Sequence, residues 1–133
     1  MDTVELLRRG AAAVAVSRIG LGVVALSRPV VVARPWTGPT GDSQAGRVLG
    51  RALGGRDLAL GLGTLTALRR RGGPQADQAA AAWVALSGLA DGFDLAITVA
   101  AWGRLPARDR WLVAVAAGGA AAWSAAAVAG ITR

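Results

Sequence analysis

The sequence predicts an all-α integral membrane protein: one transmembrane domain over residues 1–133, built as an up-and-down bundle of four transmembrane helices. The chain is 53% hydrophobic, and its mean hydropathy is +0.44. Four long apolar segments alternate with turn-forming or Arg-bearing breaks, and about 20 mostly apolar residues suffice to cross a bilayer. The alternative, a soluble Ala-rich bundle, predicts a wide charged face along each helix. The fourth segment has no such face, and the first and third carry charges only near their centres.

The breaks between the segments fix the predicted order of helices. The segments are about residues 10–27, 45–68, 76–102 and 111–132. Pro29 and Pro35 follow the first segment, within a predicted loop that reaches Gln44. Gly72-Gly73-Pro74 makes a tight break after the second segment. A short Arg-bearing loop precedes the fourth segment, which contains no charged residue.

The composition excludes several kinds of chemistry. All 15 basic residues are Arg, and the chain lacks Cys and His. A thiolate nucleophile, an imidazole base and the usual zinc or haem ligands are therefore excluded, and we expect no metal and no cofactor. Acid–base work falls to Asp and Glu, with Arg as a fixed positive charge. The net charge of +7 lies mostly at the ends of apolar segments. We therefore expect the lipid bilayer as partner, and no nucleic acid.

The distribution of Arg also predicts an orientation in the cell membrane. Arg8, Arg9 and the run Arg69–Arg71 favour the cytoplasmic side for both chain termini, because cytoplasmic loops are enriched in basic residues. The Arg residues of the opposite loops reduce this bias. Insertion in both orientations therefore stays open.

Five charged residues lie near the middle of apolar segments, at comparable depths when the chain is threaded up and down. They are Arg18 in the first segment, Arg56 and Asp57 in the second, and Asp91 and Asp94 in the third. A charge at the bilayer centre costs about 2.5–3.5 kcal/mol on insertion scales, so such residues usually face a bundle interior and mark a functional site. Charges of both signs at one depth predict a single paired network.

In the third segment, the polar residues fall on one face of the predicted helix and form a polar stripe. At about 100° per residue, Asp91 and Asp94 share a helix face with Trp83, Ser87 and Thr98, which we expect to support the site. This stripe is predicted to face the bundle interior or a water-filled cavity. For Trp83 the alternative is anchoring at the membrane interface.

The count of charges leaves one acid in excess. Arg18 and Arg56 oppose Asp57, Asp91 and Asp94. Either Arg51 completes a network of three against three, or one acid is shared or protonated. Two close carboxylates raise each other's proton affinity, so we expect Asp91 or Asp94 to carry a proton. The predicted binding or proton-relay residues are Arg18, Arg51, Arg56, Asp57, Asp91 and Asp94.

One stretch of the second segment resembles a family signature. Arg51-Ala52-Leu53-Gly54-Gly55-Arg56-Asp57-Leu58-Ala59-Leu60-Gly61 resembles the R-x-L-G-x-R-D-x-x-x-G pattern of an uncharacterised family of small four-helix bacterial integral membrane proteins. Ala90-Asp91-Gly92-Phe93-Asp94 is similar to the acid pair in the third helix of that family. The resemblance covers most of the chain's layout and implies four transmembrane helices. It implies no activity.

Three functions fit these features. The first is a binding or transport protein for a polar or anionic small molecule, which would work as a homodimer because four short helices barely enclose a pathway. The second is a membrane-embedded isomerase or cyclase acting on a lipidic substrate, with one Asp as general acid or base. The third is a structural accessory subunit in which the charges fix the helix register. The sequence favours the first and leans against an enzyme.

Overall fold

The computed structural model describes residues 2–70 and 72–132, and within these ranges all regular structure is helical. The helices are α1 (Thr3–Ser27), α2 (Pro29–Thr37), α3 (Gln44–Arg69), α4 (Pro74–Ala100) and α5 (Ala107–Ile131). The predicted all-α class is confirmed. Arg71, used above to predict the orientation, lies outside the described residues.

The starts of the long helices follow from local chemistry. Ser43 precedes α3, and its hydroxyl accepts a hydrogen bond from the backbone N–H of Gly46 at 3.1 Å, which caps the helix. Pro74 is the first residue of α4, a position where the missing N–H costs nothing. Gly73 before it has φ +91°, which glycine adopts without strain. These signals place the α3–α4 break where the sequence predicted it.

The predicted loop after the first segment was wrong in part, because residues 29–37 form the helix α2. Pro29 occupies its first position, where proline is favoured, and Pro35 lies only two residues before its end. The side chains of Val32 and Ala33 are buried together with Pro29. Because a nine-residue helix is marginal alone, we attribute its stability to packing against α3, α1 and α5.

Three of the helices are long and apolar enough to cross a membrane. They are Thr3–Ser27, Pro74–Ala100 and the part of α5 from Asp109 to Ile131. The helix α3 has 26 residues, but it concentrates charge in its first two-thirds, so it does not meet the same criterion of composition. The structure therefore supports a membrane protein with three candidate spans.

The four long helices pack side by side in the cyclic order α1, α3, α4, α5, which places α1 diagonally opposite α4. Glycines let α1 and α3 approach closely. A Cβ at Gly61 would lie 2.7 Å from the carbonyl oxygen of Ala15, and one at Gly54 would lie 2.6 Å from the Cβ of Ala25. Such contacts between small residues are typical of helix packing in membranes.

Large apolar side chains point outward, whereas the interior is built mainly from small residues. On α4, Leu89, Phe93 and Ile97 are 59–66% exposed, whereas Ala80 and Ala81 on the same helix are buried. A soluble bundle would bury its largest apolar side chains. The outer surface of this bundle therefore suits contact with lipid.

Candidate functional site

The five central charges form one continuous chain of ion pairs in the order Asp91, Arg18, Asp57, Arg56, Asp94. Arg18 contacts Asp57 through Nη1 and Asp91 through Nη2, each at 2.5 Å. Arg56 binds both carboxylate oxygens of Asp94, at 2.9 and 2.7 Å. Its Nη2 also lies 3.3 Å from Oδ1 of Asp57, which both guanidinium groups therefore share. Five of the six predicted binding or proton-relay residues thus meet in a single network, which we call the charge network.

The charge network links three helices across the middle of the bundle. Arg18 reaches from α1 to the diagonally opposite α4, where its Nη2 also donates to the carbonyl oxygen of Ser87 at 2.9 Å. Arg18, Asp57 and Asp91 are 4–8% exposed. The side chains of Arg56 and Asp94 are 32% and 14% exposed. One end of the network is therefore buried, and the other is partly accessible.

Thr98 connects the charge network to α2. Its buried hydroxyl donates to the carbonyl oxygen of Asp94 at 2.6 Å and accepts from the indole Nε1 of Trp36 at 3.1 Å. Thr98 was predicted from the polar face of the third segment, whereas Trp36, which lies in the segment expected to be a loop, was not. An indole N–H that is removed from water needs a hydrogen-bond acceptor. This requirement is the only feature of the sequence that could have indicated the contact between Trp36 and Thr98.

Ser87 and Trp83, the other predicted supporting residues, differ in their position. Ser87 is 2% exposed and touches the charge network through its carbonyl oxygen. The ring of Trp83 packs on Gly63 of α3, where a Cβ would collide with it, and it does not line the cavity described below. Trp83 therefore supports the packing of α3 against α4 rather than the site.

Arg51 does not join the charge network. It is exposed and makes no ion pair with any other residue of the described ranges. At about 100° per residue, its side chain lies roughly 120° around α3 from that of Asp57. Of the two alternatives that the sequence left open, three Arg against three Asp is not found among the described residues, and the network keeps one acid in excess.

A cavity of about 840 Å³ reaches the charge network, which forms part of its wall. Val14, Leu21, Leu112 and Val113 contribute to its apolar sides. The lining residues Ser17 of α1 and Ala116 of α5 are exposed on the two helices that flank the seam, so the cavity opens sideways between α1 and α5. We call this opening and the cavity behind it the α1/α5 cleft.

Residues of α2 and of α5 line the two ends of the α1/α5 cleft. Residues of α2, among them Val32 and Trp36, line one end. At the other end the ring of Trp123 packs directly on Gly10, where a Cβ would collide with it. The volume lies within the range of about 300–1,000 Å³ found for pockets that bind small molecules. The cleft is thus a bounded site rather than a continuous groove.

Several buried polar atoms at the site have no hydrogen-bond partner among the described residues. They are Oδ2 of Asp91, Oγ of Ser87 and the Nε atoms of Arg18 and Arg56. A buried unpaired polar atom costs about 1–3 kcal/mol. The charge network therefore has hydrogen-bonding capacity left for a further polar group.

Comparison with known proteins adds no relative. The chain matches no protein-family model, no curated protein and no solved structure. The resemblance of residues 51–61 to a family signature therefore stays a prediction.

Proposed function

We propose that this protein is a four-span membrane protein that binds or transports a polar small molecule in its α1/α5 cleft. One observation carries the proposal: all five members of the charge network line a cavity large enough for a ligand. Ion pairs that served only to hold helices together would need no such space beside them. Ionisable residues inside a membrane that face a cavity usually belong to a binding or transport pathway.

The fourth span of this proposal is α3. Its 26 residues extend about 39 Å at 1.5 Å per residue, which exceeds the hydrocarbon thickness of roughly 30 Å. Arg56 and Asp57 are paired with each other within the bundle. Arg47 and Arg51 are exposed near the N-terminal end of α3, where their side chains can extend toward lipid headgroups. Two candidate spans, α1 and α4, flank it. We therefore place α3 across the cell membrane beside them, with both termini in the cytoplasm.

The charge network also supports two other functions. It joins α1, α3 and α4, so it contributes to helix register whatever else it does. The sideways opening of the α1/α5 cleft would equally admit a lipidic substrate to an Asp acting as general acid or base. A bound molecule that changes mass on incubation would indicate the enzyme, and an empty cleft would indicate the structural subunit.

Native mass spectrometry of the full chain in nanodiscs tests the proposal. We expect wild type to retain a small molecule, and Asp91→Asn/Asp94→Asn to lose it while remaining helical by circular dichroism. Asp42→Asn is the matched control, because Asp42 is exposed and pairs with Arg34 away from the cleft. The protein mass also reports whether the expected homodimer forms.

Retention of the same molecule by the double variant and by wild type would contradict a binding role of the two carboxylates. An empty wild-type protein, together with a double variant that no longer folds, would assign the charge network to structure alone.

A further inference from the structure

The charge of the α1/α5 cleft points to the chemical class of its ligand. The charge network contains two guanidinium groups and three carboxylates, which sum to one negative charge when all are ionised. The other described lining residues are uncharged. Burying an uncompensated charge in an apolar environment costs free energy, so one added positive charge, a proton or a cation, would stabilise the network.

The arginines are already engaged, which disfavours an anion. Both terminal nitrogens of Arg18 and of Arg56 contact a carboxylate or carbonyl oxygen. Each group keeps one Nε–H that is unpaired among the described residues, but its positive charge is neutralised by carboxylates before any ligand arrives. The sequence predicted a polar or anionic ligand, whereas this site suits a polar ligand that carries a positive charge.

Asp91 supplies the place for that charge. Asp94 uses both carboxylate oxygens on Arg56, whereas Asp91 uses only Oδ1 on Arg18. Oδ2 of Asp91 is buried without a hydrogen-bond partner in residues 2–70 and 72–132. Asp91 also lines the cleft, so this oxygen is a hydrogen-bond acceptor beside the cavity without a partner in those residues, and a ligand contacts it once neighbouring side chains shift.

The walls of the α1/α5 cleft suit an apolar body. They are formed by aliphatic side chains such as Val14, Leu21 and Leu112, and the volume of about 840 Å³ far exceeds that of an inorganic ion. The seam between α1 and α5 opens on the side where, in the proposed arrangement, lipid surrounds the bundle. A molecule dissolved in the bilayer would enter directly.

Building on the proposed binding function, we propose that the cleft binds a monovalent lipophilic cation, an amine or quaternary ammonium with an apolar body, in competition with one proton. Without the cation, a proton on one carboxylate neutralises the network; when the cation binds, the O–H bond breaks and that proton leaves to solvent. The charged groups facing Asp91 are Arg18 from α1, Arg56 and Asp57 from α3, and Asp94 on its own helix. The cleft-lining residues of α2 and α5 are uncharged.

Two probes of equal size and opposite charge test this class. Tetraphenylphosphonium and tetraphenylborate are titrated into the full chain in nanodiscs of zwitterionic lipid, with empty nanodiscs as the blank. We expect saturable binding of the cation at one per site, release of up to one proton, and affinity that falls up to tenfold for each pH unit of acidification. The borate should show only the partitioning seen in empty nanodiscs.

Variants connect the binding to the cleft. Asp91→Asn removes the excess charge and should weaken binding of the cation at least tenfold, whereas Asp42→Asn should leave it unchanged. Ala116→Trp fills the cleft from α5 without touching a charge and should block binding. It tests the site even if Asp91→Asn does not fold.

The outcomes separate this inference from the proposed function. Saturable binding of the borate, or binding of the cation without any dependence on pH, overturns the inference and leaves a binding protein of another specificity. If neither probe binds while native mass spectrometry still shows a retained molecule, the cationic class alone is refuted. If no probe binds and nothing is retained, both proposals fail.

Discussion

Replacing Arg18 with Leu tests whether the ion pairs of the charge network exist as described. Arg18 is the guanidinium that contacts both Asp57 and Asp91, at 2.5 Å each. In Arg18→Leu, Asp91 loses its recorded ion pair, and Asp57 retains only the longer contact of 3.3 Å with Arg56. The variant therefore leaves two buried carboxylates with little compensation.

The magnitude follows from the burial of these groups. Breaking a buried ion pair by removing one partner costs about 3–5 kcal/mol. Helices of a membrane protein stay inserted when their tertiary contacts are lost, and a stranded charge still finds partners there. We therefore expect Arg18→Leu to lower the free energy of unfolding by about 3 kcal/mol, the lower limit of this range. This is roughly a hundredfold change in the unfolding equilibrium constant.

Asp57→Asn is the informative comparison. It removes a charge that both arginines share, yet it leaves Arg18 with Asp91 and Arg56 with Asp94. The Asn carbonyl oxygen can still accept a hydrogen bond from Arg18. We expect a loss of about 1 kcal/mol, the size of an ordinary hydrogen bond, and hence far less than for Arg18→Leu.

Unfolding in mixed micelles, followed by the fluorescence of the five tryptophans, measures these differences. Arg51→Leu is the matched control, because it removes an exposed Arg that lies outside the network and should change stability little. Equal effects of Arg18→Leu and Arg51→Leu would refute the ion-pair network as described. A larger loss for Asp57→Asn than for Arg18→Leu would refute the charge count.

Two further predictions concern packing. Gly61→Ala should destabilise the bundle by about 1–3 kcal/mol, because its Cβ would lie 2.7 Å from the carbonyl oxygen of Ala15. Gly55→Ala is the control in the same unfolding assay. A Cβ at Gly55 meets no atom within 4 Å, so this change should be neutral or slightly stabilising. Trp36→Phe should cost about 1 kcal/mol, because it removes the indole donor to the Thr98 hydroxyl. A double-mutant cycle with Thr98→Val checks the latter, and additivity within about 0.3 kcal/mol would show that the hydrogen bond does not couple the two residues.

The long helices were predictable because each contains an apolar segment that a strong break separates from the next, although α1 begins at Thr3 rather than near residue 10. The helix α2 was not, because proline at both ends of a Val-rich stretch indicates a turn. What stabilises it is burial of Pro29, Val32 and Ala33 against other helices. In a segment of only nine residues, such tertiary contacts produce no hydrophobic periodicity by which the helix could be recognised from the sequence.

The membership of the charge network was largely predictable, but its pairing was not. Depth along the apolar segments identified all five members, since charge is rare there. Asp57 faces inward and Arg51 outward because of the rotation of α3 about its own axis. That rotation is set by the close packing of Gly54 and Gly61 against α1. The α1/α5 cleft depends on the separation of two helices, which a single sequence does not encode in any local pattern.

The odd acid is the strongest argument that the charge network is more than a scaffold. Two arginines and two aspartates would link α1, α3 and α4 with no net charge in the bundle, as they still would in Asp57→Asn. A third carboxylate adds a charge whose burial costs free energy and which no described lining residue neutralises. Asp57 adds a direct ion pair between α1 and α3, but the balanced pairs Arg18–Asp91 and Arg56–Asp94 already link the three helices through α4. A site that exchanges one proton for one cation requires the third carboxylate, because the exchange needs a single charge that both can neutralise. Asp57→Asn should therefore separate the two roles: a folded bundle of nearly normal stability that no longer releases a proton when the lipophilic cation is added.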